Sequence, residues 1–375
     1  MTRLGSEGWA LAWLVLAAMV VGAIHGELKD LSVYRDGGRA VLDGMSLAGR
    51  SPLTGLRFTY PPFAAVLMVP LAALPAVVVP ALWTGISVGA LAGCVIVARR
   101  SQRRPASGWL VVAVSAGALA LQPVWQNLAF GQVNTILMLA VLVDLVRPER
   151  RLSGALVGVA AGVKLTPLVF VVLLALVGRS RAAGRAAAVF AGTVAVGWVL
   201  RPGSSTSYWT EDVLDARRVG PPGLAHNQSV YGALTRLLDG RPPTVLWLAV
   251  AGPIALAVLG VAACWWRRGD RVLGTCLGAL AMLLASPVSW AHHWVWAVPL
   301  AVALWERSRW VAVAWVAVFV TRPILWPPWG EHREYAWTPL EHVVGNAYVL
   351  SALVITTWAA LVLRRHAVDE PAATG

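Results

Sequence analysis

The sequence predicts an all-α protein held in a lipid bilayer by many membrane-spanning helices. Three observations carry that expectation. Of 375 residues, 58% are hydrophobic and 13% charged, where a soluble domain has about 25% charged. The apolar residues run in long blocks, at 10–24, 76–98, 245–266 and 346–363, and about 20 such residues cross a hydrocarbon core about 30 Å thick. Arginine falls in short clusters between the blocks, at 99–104, 147–151, 179–185, 267–271, 307–309 and 364–365, as expected of loops kept in the cytoplasm.

Placing all six clusters inside orders the rest. The first block follows a basic start at Arg3. It is long, with no convincing cleavage site before the polar stretch, and reads as a retained anchor rather than a secretion signal. Residues 26–60 then lie outside. Only one crossing, 76–98, fits between that stretch and the 99–104 cluster. Residues 63–74 are therefore expected to form an interfacial or re-entrant helix started by Pro61-Pro62. The turn at Phe130-Gly131-Gln132 lies outside. The segment 152–177 sits between two inside clusters and has only about 26 residues, against about 20 for a single crossing. It reads as a short hairpin bent at Pro167 or a re-entrant pair. Residues 201–243, 286–294 and 325–342 complete the outer face. Two outer loops are long and polar, and loops of that size are more often functional than idle. The expected whole is one integral membrane domain, 1–375, with about 10–12 crossings at one per apolar block. No internal repeat is evident, and both termini lie in the cytoplasm.

The net charge of +13 does not imply nucleic acid, because basic residues at helix ends are what insertion requires. Lysine occurs only at Lys29 and Lys164. Cys94, Cys264 and Cys276 lie in apolar stretches with no disulfide or metal spacing and read as small buried hydrophobes. No P-loop, GxGxxG, nucleophile elbow or metal motif is present. Neither a metal nor a cofactor is expected.

The remaining polar residues gather at the outer helix ends, which suggests a site at the outer membrane boundary. Asp30 and Asp36 flank Tyr34-Arg35 after the first block. A carboxylate there can take a proton from an attacking hydroxyl; the alternative is a solvated loop acid paired with Arg35 or Arg39. Lys164 stands alone in an apolar run. A charge at that depth is tolerated where it meets a partner, a cavity or a ligand, and it suits a phosphate; the alternative is snorkelling to the surface. In Ser286-Pro287-Val288-Ser289-Trp290-Ala291-His292-His293-Trp294, adjacent histidines diverge by about 100° on a helix and would not easily share a metal. One can donate to a phosphate or hydroxyl while the other packs; the alternative is interfacial anchoring beside the tryptophans. Gln132, Asn134, Asn227 and Gln228 carry amides suited to sugar hydroxyls, or else to helix capping.

These strings occur in a recognisable order: Asp30-x-x-Val33-Tyr34, Phe58-Thr59-Tyr60-Pro61-Pro62-Phe63, Gly131-Gln132-Val133-Asn134, Lys164-Leu165-Thr166-Pro167, Asn227-Gln228-Ser229 and the Ser286–Trp294 segment. From about Asp30 to Trp294 the chain resembles the bacterial polyprenyl-phosphate-mannose-dependent α-(1→2)-mannosyltransferases, glycosyltransferase family 87. The resemblance implies a multi-span bundle of the GT-C architecture in the plasma membrane. It also implies a polyprenyl-monophosphate sugar donor, a glycolipid or lipoglycan acceptor, and reaction at the outer face. An acid in the first outer loop would be the base, with Asp30 the best match and Asp36 the fallback. Lys164 and His292 or His293 would hold the leaving phosphate. Gln132, Asn134, Asn227 and Gln228 would orient sugar hydroxyls beside Tyr34 and Tyr60. The family commonly carries an acid where this chain has Ala291, which departs from the pattern.

Two other classes remain open at this level. A transporter or flippase of lipid-linked sugars would carry polar residues along the full depth of a pathway and show repeat symmetry. A non-catalytic scaffold would be indifferent to Asp30→Asn.

Overall fold

The computed structural model describes residues 6–26 and 28–369; Arg3, at the basic start, lies outside the described residues. The described residues form nineteen α-helices, several short 3₁₀ turns and no β-strand. The long apolar blocks become long helices. They are α1 (Ser6–His25), α5 (Val78–Ser101), α11 (Ser180–Leu200), α14 (Thr244–Arg267) and α19 (Ala347–Asp369). By length and composition these five could each cross a membrane. On α1 only Ala10 and Gly22 are buried, so nearly all of that helix presents apolar side chains outward, as lipid contact requires.

The expected count of about 10–12 crossings, at one per apolar block, exceeds the number of uninterrupted long helices. The reason is that many apolar stretches are cut into short pieces. Helix α6 (Gly108–Ala118) and α7 (Gln122–Phe130) are bent by 84° to each other and only together are long and apolar enough to cross a membrane. Helices α8 (Asn134–Val146), α9 (Ala155–Val163), α10 (Val169–Leu176), α15 (Arg271–Ala285), α16 (Ala297–Trp305) and α17 (Arg309–Thr321) are each 8–15 residues long. At about 1.5 Å per residue each is shorter than the hydrocarbon core.

Two expected breaks are present. Residues 63–74 are covered by α3 (Pro62–Leu67) and α4 (Val69–Ala73), separated at Met68. The 152–177 segment is broken at Lys164, whose backbone is extended (φ −148°, ψ 127°), not at Pro167 itself. In a continuous helix the ring of Pro167 would strike the carbonyl of Val163, four residues back. The helix therefore ends at Val163, and Pro167 sits at the start of the next helical turn, Thr166–Leu168.

The stretch 26–60 is less of a loop than expected. It contains α2 (Lys29–Leu42), which buries Leu31, Tyr34, Gly37, Gly38 and Ala40. A Cβ on Gly38 would lie 2.5 Å from the Met68 carbonyl oxygen, so only glycine lets α2 approach the α3–α4 break this closely. The outer stretch 201–243 likewise contains α12 (Pro202–Thr210) and α13 (Val230–Leu237). Near the end of the chain, α18 (Pro339–Gly345) leads into α19.

Helix α15 is the axis of the molecule. Every residue from Val272 to Leu284 is buried, as expected of a helix that is apolar all round. Its amino end carries Asp270 and its carboxyl end delivers Ser286, about 22 Å away at 1.5 Å per residue. The arginine clusters meet at the Asp270 end. Arg99 and Arg104 pair with Glu306, Arg307 pairs with Asp270, Arg271 donates to the Val146 carbonyl, Arg179 to Leu145 and Arg147, Arg267 to Leu176, and Arg268 to Leu363. Cys94 and Cys276 are buried as expected, whereas Cys264 faces outward.

Candidate active site

At the opposite end, short helices and broken spans converge on a cavity of about 250 Å³. Most polar side chains on its wall are delivered where a helix begins or ends. Asp30 and Tyr34 stand one turn apart on α2, so both face the same way. Helix α7 closes at Gly131, which is left-handed (φ 72°). A Cβ there would fall 2.7 Å from the Leu31 Cβ, so glycine is needed both for the turn and for the contact with α2. The turn puts Gln132 opposite Asp30. The break after α9 frees Lys164, and a 3₁₀ turn at Ala291–Trp296 presents His292 and His293.

One hydrogen-bonded network joins these groups. Gln132 Nε2 donates to Asp30 Oδ2 at 2.7 Å. Gln132 Oε1 lies 3.1 Å from the hydroxyls of both Tyr34 and Tyr60, which are 2.8 Å from each other. Those contacts fix the amide so that its NH₂ faces the carboxylate. Asn134 Nδ2 donates to Asn127 Oδ1 at 3.0 Å and to the His292 carbonyl at 3.2 Å. Lys164 Nζ donates to Asn134 Oδ1 at 2.9 Å and lies 2.9 Å from His293 Nε2. With the lysine charged, His293 Nε2 must accept, which puts the imidazole proton on Nδ1.

Two groups are left with unused capacity. Lys164 has no carboxylate within ion-pair distance among the described residues; its partners are neutral. His292 Nε2 is buried with no hydrogen-bond partner among the described residues, and its ring packs edge-on to Phe130 and His293. A buried polar atom without a partner costs about 1–3 kcal/mol, which a ligand oxygen would relieve. Burial raises the Asp30 carboxyl above its ordinary range, opposed first by the Gln132 hydrogen bond and then by the charges of Lys29 and Lys164. Burial also raises the Tyr34 and Tyr60 phenols, so both stay protonated.

The structure thus brings Asp30, Tyr34, Tyr60, Gln132, Lys164, His292 and His293 to one cavity wall, with Asn134 directly behind them. It does not bring the others. Asp36 accepts from Ser51 Oγ at 2.6 Å and holds the following loop. Asn227 and Gln228 are fully buried struts away from the cavity. Asn227 donates to the carbonyls of Pro222 and Pro287 and accepts from Ser289 N. Gln228 donates to Ala225 and Gly345 and accepts from Tyr348 N. Every amide atom of the pair is taken by backbone, so neither is placed to read a sugar. Ala291 is fully buried and off the cavity wall, so the missing acid leaves no gap in it. Trp125 lies under Arg322 and Trp337 under Arg236.

Sequence reasoning missed the loop side of the cavity. Arg218 pairs with Asp212 at 3.1 Å, donates to the carbonyls of Phe58 and Thr59, and lies over Tyr208. Trp290 also lines the wall. Only tertiary structure brings residues 208–219 over residues 58–60. Asn127 was also missed, although an amide inside an apolar helix is a readable signal.

A family model described as glycosyltransferase family 87 matches residues 58–287, more than half of the chain. Curated relatives extend the match. A polyprenol-phosphate-mannose-dependent alpha-(1-2)-phosphatidylinositol pentamannoside mannosyltransferase of Mycobacterium tuberculosis (strain CDC 1551 / Oshkosh) is 36% identical, over 92% of this chain and 84% of its own length. The corresponding enzyme of Mycolicibacterium smegmatis is 35% identical, over 86% of this chain and 83% of its length. A polyprenol-phosphate-mannose-dependent alpha-(1-2)-phosphatidylinositol mannoside mannosyltransferase of M. tuberculosis H37Rv is 34% identical, over 96% of this chain and 92% of its length. No solved structure matches the chain. A multi-span helical bundle, a polar cavity built from broken helices and these relatives converge: the chain belongs to glycosyltransferase family 87.

Proposed function

We propose that the protein transfers mannose from polyprenyl monophosphate to a hydroxyl of a lipid-linked glycan acceptor, at the outer face of the plasma membrane, with inversion. The phosphatidylinositol mannosides named for its relatives are the acceptor class to try first. The observation that carries the reading is that Asp30 and Lys164 share one cavity wall and are joined through Gln132 and, behind the wall, Asn134, the Gln132–Asn134 contact being 3.5 Å. One end of that wall offers a carboxylate and the other a lysine without a counter-charge.

In this reading the acceptor hydroxyl enters beside Asp30, which takes its proton. The acceptor oxygen bonds to the anomeric carbon as the bond from that carbon to the phosphate oxygen breaks. The electron pair of the broken bond leaves with polyprenyl phosphate, so negative charge grows on the phosphate. A preplaced lysine and a histidine donor stabilise that charge as it develops. Lys164 and His292 occupy that end. A β-linked donor then gives an α-linked product. Asp36 is not a second base here, because its carboxylate is directed to Ser51. A transporter needs polar groups along the depth of the bundle, whereas the buried run Val272–Leu284 of α15 carries one polar side chain, Thr275.

The test uses purified protein in lipid with radiolabelled polyprenyl-phosphate-mannose and phosphatidylinositol mannosides. Label should move into glycolipid with wild type and not with Asp30→Asn. Equal transfer by both would remove Asp30 as base. An intact donor after incubation with wild type would sink the mannosyl-donor reading.

A further inference from the structure

A second concave site lies at the basic end of the bundle, the far end of α15 from the cavity. Its volume is about 350 Å³, and Arg103, Arg104, Arg268 and Arg307 line it beside Asp270 and Glu306. Charge at this end is expected of any membrane protein. Its arrangement is a separate matter.

Both carboxylates are already committed. Glu306 receives Arg99 at 2.8 Å and Arg104 at 2.7 Å. Asp270 receives Arg307 through Nε and Nη2 and also caps α15 by accepting from Leu273 N. The guanidinium of Arg307 lies over the Trp265 ring, 4.8 Å from its centroid, and Arg268 is tied to the Leu363 carbonyl. These contacts hold three guanidinium groups in place yet leave N–H donors on each, since a guanidinium carries five. Arg103 has no carboxylate partner among the described residues and sits on a left-handed turn (φ 56°) at the rim. Four arginines against two acids leave the basin positive, with donors fixed in advance.

We propose that this basin binds the phosphate of an anionic lipid headgroup, lodged between the ends of α5, α14, α15 and α16. Phosphate matches the donor set, because guanidinium groups bind its oxygens in pairs. The lipid source follows from position, since basic pockets between membrane helices lie at headgroup depth. The site is independent of the transfer reaction.

The full chain, purified in a zwitterionic detergent, is titrated with short-chain phosphatidic acid, short-chain phosphatidylcholine and inorganic phosphate, and followed by native mass spectrometry and thermal unfolding. One equivalent of phosphatidic acid should bind saturably and phosphatidylcholine should not. Arg103→Gln/Arg268→Gln should weaken phosphatidic acid binding by about 10-fold or more, roughly the loss of one charge-assisted contact. Arg103→Gln alone disturbs no ion pair and should fold normally with a smaller loss. Arg150→Gln, in another basic cluster, should bind as wild type does. Inorganic phosphate saturating at the same midpoint as phosphatidic acid would overturn the lipid source. Equal binding by wild type and the double variant, or an equal loss in Arg150→Gln, would overturn the site.

Discussion

Asp30 is subject to opposing influences, and their balance has a measurable sign. Burial raises its carboxyl, while the Gln132 hydrogen bond and two lysines pull it down, and burial wins. As the base of the proposed reaction it works ionised, so activity should be lost as pH falls through the raised value. The acid limb of kcat/KM should therefore lie above the ordinary aspartate range of about 3.9. Gln132→Leu removes a lowering contact and should push that limb higher still; an unmoved limb would separate it from Asp30. Asp30→Asn should cost about 10²–10⁴ in kcat, the usual worth of a general base. Asp36→Asn should leave kcat within a few-fold and cost about 1 kcal/mol of stability through the weakened Ser51 contact. At the other end of the network, Lys164→Met should lower kcat by about 10²–10³, as loss of a preplaced charge donor does, while acceptor KM stays near wild type. Lys164 was legible because it is charged in an apolar run, and Asp30 because it follows directly on the first apolar block. Asn227 and Gln228 looked the same in sequence as Gln132 and Asn134. An amide that faces the cavity and one that ties carbonyls together differ only in which atoms surround them, and of the carbonyls tied here those of Pro287 and Gly345 are remote in sequence.

At the scale of elements, the cavity exists because helices stop early. Proline placement made one helix start legible, at 61–62, and one break, near 167, though that break was expected at the proline and lies at Lys164. The difference follows from which carbonyl the ring would strike. The break between α6 and α7 was not read from the sequence, since residues 119–121 carry no breaker and only Pro123 hints at it. Gly131 tests the importance of such a corner. Gly131→Ala would place a Cβ in left-handed backbone, which costs about 1–2 kcal/mol, and would press on Leu31 besides. The expected result is a lower unfolding temperature in detergent, with kcat falling more than stability, because Gln132 and α2 would part. A variant as stable and as active as wild type would show that the turn tolerates a side chain. Gly38→Ala, pressed against the Met68 carbonyl, should destabilise without the same loss of kcat, since it lies beyond the network.

At the scale of the molecule, charge and polarity separate along α15. The arginine clusters, scattered from 99 to 365, were grouped on one side by the sequence alone; the structure pairs Arg99, Arg104 and Arg307 with Glu306 and Asp270 and ties Arg179, Arg267, Arg268 and Arg271 to carbonyls at nearby helix ends. The number of crossings was less legible, because apolar composition does not say whether a stretch continues as one helix. The separation implies an orientation. If the basic end is cytoplasmic, the cavity opens outside, and accessibility to a membrane-impermeant maleimide reads this directly. Cys94 and Cys276 are buried and Cys264 is exposed, so Cys264→Ser gives a background with little reaction. Thr210 and Glu149 are both exposed, one beside the cavity loop and the other beside the Arg147 turn. In intact cells Thr210→Cys should label and Glu149→Cys should label only after permeabilisation. The reverse pattern would put the cavity in the cytoplasm. The donor would then have to be used on the inner leaflet, and the proposed reaction at the outer face would fail even if transfer itself were observed in vitro.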